Sequence, residues 1–65
     1  MINGKLIKEL REEKGLSQEQ LAKACGYSDK SAISRMENGL YTDIPLSKAI
    51  KIAKELGTTP TALTK

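Results

Sequence analysis

The sequence contains no histidine, no phenylalanine and no tryptophan, and it has a single cysteine. Each absence closes a class of function. Without histidine the usual general base is missing, so nucleophilic catalysis of the Ser-His or Cys-His kind is unsupported. A lone Cys25 makes no intramolecular disulfide, and with no histidine beside it no zinc site is expected. No metal, cofactor, small-molecule ligand or enzymatic activity is therefore expected. With two tyrosines as the only aromatics, the core must come from aliphatic side chains. The candidates are Leu6, Ile7, Leu10, Leu16, Leu21, Ile33, Ile50, Ala53 and Leu56. Cys25, on an apolar face, reads as a small core residue. No apolar run approaches the roughly 18 residues of a membrane span. The start, Met1 to Lys5, lacks the apolar stretch of a signal peptide. The chain is expected in the cytoplasm, away from membranes.

What remains is short, helical and basic. Sixty-five residues make one domain, read here as spanning 1–65. The net charge of +3 suits a polyanionic partner without demanding one. Apolar spacing and caps predict four or five short helices and no strand. The first runs from about Gly4 to Lys14, with Gly15 after it. The second has the clearest start signal. Ser17 and Gln20 make a capping box, and Leu16 with Leu21 makes a hydrophobic staple. Its inner face is Leu21, Ala22 and Cys25, and Gly26 ends it. The third helix is capped by Ser28 or Asp29 and runs to Asn38, with Gly39 beyond. Pro45 opens a fourth, with Leu46, Ala49, Ile50, Ala53 and Leu56 on one stripe and Gly57 closing it. Thr59-Pro60 starts a last turn carrying Ala62 and Leu63.

Two short helices joined by a glycine-containing turn, from Gln18 to Gly39, read as a helix-turn-helix, whose second helix can enter the major groove. A plain helical hairpin fits the spacing as well. The outer face of the third helix weighs towards the former. Ser31, Ser34, Arg35 and Asn38 form one polar stripe opposite Ile33 and Met36, with Lys30 beside it. Arginine can take guanine O6 and N7 together, and serine can donate or accept. Tyr41 and Thr42, in the loop that follows, can donate hydrogen bonds to phosphate. That loop holds no base, and Lys48 in the fourth helix is the residue expected to make up for it.

The segments Leu16-Ser17-Gln18-Glu19-Gln20-Leu21-Ala22, Gly26-Tyr27-Ser28 and Ala32-Ile33-Ser34-Arg35-Met36-Glu37-Asn38-Gly39 resemble the phage-repressor (Cro-like, XRE) helix-turn-helix family. Ile44-Pro45-Leu46 and Ile52 to Pro60 resemble its fourth and fifth helices. The resemblance implies an all-α, five-helix, lambda repressor-like fold and a cytoplasmic transcriptional regulator, in most cases a repressor. It implies double-stranded DNA as partner, read at a palindromic operator by a homodimer with helix 29–38 in the major groove. Residue by residue, it implies base contacts from Lys30, Ser31 and Arg35, with Ser34 added from the stripe. Gln18 would meet phosphate at the start of the second helix, where free N–H groups favour an anion. Asn38 would lie near the DNA backbone. It also implies an ion pair between Arg11 and Glu37, each four residues beyond a core isoleucine of its helix. Between Gly26 and Ile33 the chain carries one residue more than the shortest pattern of the family. A repressor, a restriction controller and an antitoxin all remain open, as does a module that binds another protein through its exposed helices. Weak dimerisation through Thr61 to Leu63 is the expectation.

Overall fold

The computed structural model describes residues 2–41 and 43–64. Among them are five helices and no strand: α1 (Gly4–Glu13), α2 (Gln18–Ala24), α3 (Ser31–Glu37), α4 (Leu46–Leu56) and α5 (Pro60–Leu63). Helix α1 packs on α3, α4 and α5, while α2 packs on α3 and α4. The core lies where these meet. It holds Ile7, Leu21, Ala22, Cys25, Ile33, Met36, Ile52, Ala53, Leu56 and Leu63. Leu6, Leu10 and Leu16 pack against it half-buried.

Local chemistry explains where each helix starts. The Asn3 side chain accepts from the Leu6 N–H at 3.1 Å and caps α1. Ser17 Oγ accepts from the Gln20 N–H at 3.0 Å, and Gln20 Oε1 accepts from the Ser17 N–H at 2.8 Å, which closes the capping box of α2. Thr59 Oγ1 caps α5. Backbone pairing starts α3 at Ser31, two residues later than the sequence suggests. Asp29 still serves its entry, because its carboxylate accepts from the Ser31 N–H at 2.9 Å.

Helix α4 departs from expectation. Its buried side is Ala49, Ile52, Ala53 and Leu56, whereas Leu46 and Ile50 lie in water. Both stripes obey helical spacing and share three residues. The packing of α1, α2 and α5 selects the Ile52 edge. Leu63 is also fully buried, and its carbonyl accepts from the Asn3 N–H at 2.6 Å. It is therefore committed to the core and unavailable for the expected contact at Thr61 to Leu63.

Candidate nucleic-acid interface

The turn between α2 and α3 sets the angle of everything beyond it. Gly26 sits there at φ +85°, a left-handed conformation that costs a side chain about 1 kcal/mol or more. The next N–H, of Tyr27, donates back to the Ala22 carbonyl at 2.9 Å. Lys48 Nζ donates to the Cys25 carbonyl at 3.2 Å and lies 4.8 Å from the centre of the Tyr27 ring. A cation at the end of a helix answers its unpaired carbonyls and negative dipole. Lys48 is thus engaged at the end of α2.

A buried ionic node fixes α3 from behind. Arg11 Nε donates to Glu37 Oε2 at 2.7 Å and Arg11 Nη2 donates to Glu37 Oε1 at 3.1 Å. The third arm of the fork, Nη1, donates to the Leu16 carbonyl at 2.7 Å. Gln18 Nε2 then donates to Glu37 Oε1 at 3.0 Å. The Arg11 and Glu37 side chains are 10% and 3% exposed, so these bonds are shielded from water and salt. Glu37 holds the Arg11 guanidinium charged, raising its pKa further above the ordinary value against the cost of burial. One carboxylate on α3 thereby ties together α1, the turn before α2, and α2 itself.

Gly4 adds a second constraint. A Cβ there would overlap the Met36 carbonyl and come within 3.1 Å of the Glu37 Cα. The first turn of α1 therefore rides directly on the backbone of α3. No local sequence signal marks this glycine, because its role is defined by a helix thirty residues away.

The outward side of α3 is loosely held by comparison. Lys30, Ser31, Arg35 and Asn38 are exposed and Ser34 is half-buried. Arg35 Nη1 donates to the Tyr41 hydroxyl oxygen at 3.1 Å, and its guanidinium lies 5.8 Å from the ring centre. Asn38 Nδ2 donates to Ser34 Oγ over a long 3.4 Å. Lys30 and Gln18 line an open cleft of about 460 Å³ between the starts of α2 and α3, with Arg11, Ser17 and Glu19. The hydrogen bond from the Ser31 backbone holds the Asp29 carboxyl below its ordinary value.

The residues singled out from the sequence thus fall into four groups. Arg11, Gln18 and Glu37 meet in the node, and Lys30 shares the cleft with Gln18. Arg35 meets Tyr41. Ser34 meets Asn38, while Ser31 presents its N–H to Asp29. Thr42 lies outside the described residues. Sequence reasoning missed the Gln18–Glu37 bond, which needs α2 and α3 docked, and the Arg35–Tyr41 pair, which depends on the loop path. Among the described residues no cluster of acids and cysteine could hold a metal, and no helix is long and apolar enough to cross a membrane.

A helix-turn-helix family profile matches residues 7–63, and the chain belongs to that family, in the phage-repressor (Cro-like, XRE) branch its motifs resemble. Among solved structures it is similar to SinR, described as the master regulator for biofilm formation and solved in complex with DNA. That match has a TM-score of 0.85 and 32% identity over 95% of this chain and 97% of that one. It is also similar to a chain of the SinR protein–SinI protein complex, at a TM-score of 0.83 and 35% identity over 97% of this chain and 59% of that one. The restriction-modification controller protein C.AhdI from Aeromonas hydrophila matches at a TM-score of 0.80 and 38% identity, over 92% of this chain and 88% of that one. Hydroxypropylphosphonic acid epoxidase from S. wedmorenis matches too, but over 32% of its own length. No curated protein sequence matches.

Proposed function

We propose that this chain is the DNA-reading domain of a transcriptional regulator and places α3 in the major groove of a palindromic operator. One observation carries the reading. The outer face of α3 presents the polar stripe of Lys30, Ser31, Ser34, Arg35 and Asn38, while the reverse of α3 is locked by the node. Arg35 reads a guanine edge, and Ser31, Ser34 and Lys30 read or flank neighbouring bases. Phosphates flank the helix at Gln18, Asn38, Tyr41 and Thr42 and position it without reading sequence. Gln18 keeps one amide hydrogen and its backbone N–H for that contact while bonded to Glu37. The pair of Arg11 and Glu37 orients α3 rather than touching DNA. The likeness to SinR bound to DNA and to C.AhdI supports the same assignment. The reading makes residues 1–65 one working unit, in the cytoplasm with the DNA, and a regulator rather than an enzyme. The likeness to the epoxidase stays within a third of that chain.

Selection of bound sequences from random duplex DNA tests this. A palindromic consensus is expected, with affinity falling steeply as salt rises because phosphate contacts release counterions. Absence of any preferred sequence overturns it. A second reading, docking onto another regulator, is favoured by one observation, the likeness to a chain of the SinR–SinI complex. Such binding has no need of a steep salt dependence and persists when Arg35 is removed.

A further inference from the structure

The two ends of α3 are fixed by different means. Its last residue, Glu37, sits in the node, and its last turn of backbone lies against Gly4. Its start has few holds of its own. Lys30 stands at the cap position without a side-chain cap, and the Asp29 carboxylate answers the Ser31 N–H at an exposed site. The entry therefore depends on the turn before it. Lys48, from the first turn of α4, reaches three consecutive residues of that turn. Its Nζ donates to the Cys25 carbonyl at 3.2 Å and faces the Tyr27 ring at 4.8 Å. It also lies 3.1 Å from the point that a Cβ on Gly26 would occupy. Carbonyls at a helix end and an aromatic face both attract a cation, and the missing side chain of Gly26 leaves room for it. Lys51 Nζ lies 3.7 Å from the same point, but makes no hydrogen bond among the described residues.

We propose that Lys48 is a positioning residue for DNA reading: by holding the turn at Cys25, Gly26 and Tyr27, it sets the N-terminal end of α3 against the bases. The proposal rests on the DNA-binding reading above and deepens it. The node makes the C-terminal end of α3 a pivot. Along the helix axis Ser31 lies about 9 Å from Glu37, and Arg35 about 3 Å. Slack in the turn therefore displaces Lys30 and Ser31 most and Arg35 least. Loss of Lys48 blurs what is read near the start of α3 and spares the base read by Arg35.

The test compares Lys48→Met, which keeps the aliphatic stem, with Lys48→Arg and Lys51→Met, each well below its unfolding midpoint. Affinity is measured for a selected duplex and its single-base variants over a range of salt. Lys48→Met is expected to bind the selected duplex about tenfold more weakly. Its discrimination is expected to relax at base positions other than the one that Arg35→Ala identifies. The salt slope is expected to stay that of wild type, whereas a lost phosphate contact lowers it by about one. Lys48→Arg keeps a donor and a cation for the ring and is expected to recover most of the binding. Lys51→Met removes the same charge beside the same turn and is expected to bind as wild type does. Unchanged affinity in Lys48→Met makes Lys48 a structural hold only and overturns the proposal. A lowered salt slope with equal loss on every sequence overturns it in favour of a phosphate contact. An equal loss in Lys51→Met, or no recovery in Lys48→Arg, overturns it too. Each of these leaves the DNA-binding reading intact. Failure to select any duplex overturns both.

Discussion

Helix α3 is held in opposite ways on its two sides. Its inner side carries Ile33 and Met36 in the core, Glu37 in three hydrogen bonds from Arg11 and Gln18, and its own backbone against Gly4. Its outer side is restrained by a hydrogen bond from Arg35 to Tyr41 and a long one from Asn38 to Ser34. The inner side spends its polar groups on one another. The outer side leaves most of its groups to water, where a ligand can claim them. A reading helix needs both. Its position must be over-determined so that base contacts register, and its reading groups must remain free to be satisfied from outside.

The strongest way to break the comparison is to empty the node. Glu37→Ala strands the Arg11 guanidinium at a site with almost no exposure. Stranding a buried charge costs roughly 3–5 kcal/mol, and the lower end is expected because Leu16 still accepts one Arg11 bond. Chemical denaturation reads the loss. Arg11→Met with Glu37→Leu should recover much of it, and a double-mutant cycle without coupling would refute the node. Next in size is Gly4→Ala. Its methyl meets backbone rather than a side-chain tip, so α1 and α3 must separate, at about 3 kcal/mol. Operator binding should weaken with stability, although Gly4 is not itself a proposed DNA contact.

Changes on the outer side should leave folding alone. Arg35→Ala is expected to cost about 2 kcal/mol of discrimination at one base position, with the unfolding midpoint unchanged. Competition between operator variants measures it, and equal selectivity would remove Arg35 as a base reader. Tyr41→Phe should cost about 1 kcal/mol, the worth of one hydrogen bond. If the Tyr41 hydroxyl acts by aiming Arg35, the loss falls on selectivity. If it acts on phosphate, all sequences weaken alike. The smallest effect concerns Asp29. Its folded pKa is depressed by the Ser31 hydrogen bond, so its contribution is complete above the ordinary value of 3.8 and disappears as pH falls through the folded value. NMR titration should place the Asp29 midpoint below 3.8, and Asp29→Asn should abolish the corresponding acid-range slope in stability.

Much of this architecture is written in short-range signals. The helix starts at Ser17 and Thr59, the glycine-ended turn at Gly26 and the core positions Ile7, Leu21 and Ile33 all follow from contacts within a few residues or from helical spacing. The polar stripe of α3 is legible for the same reason, since residues three and four apart share a face whatever surrounds the helix. Other features belong to the tertiary structure alone. In α4, Ile50 and Ile52 flank the same shared alanines, and periodicity accepts either edge as the inner one. Only the placement of α1, α2 and α5 buries Ile52 and leaves Ile50 beside Leu46 in water. Leu63 reads as a free terminal apolar residue until the Asn3 N–H is found bonded to its carbonyl. Gln18 shows no partner within the chain until α3 brings Glu37 to it. Gly4 looks like an indifferent first helical residue until the α3 backbone is laid against it. The division has one physical cause. Caps, turns and periodicity depend on the chain's own next four residues, whereas a choice between two equally periodic faces, or a close approach of two backbones, depends on residues that only folding makes neighbours.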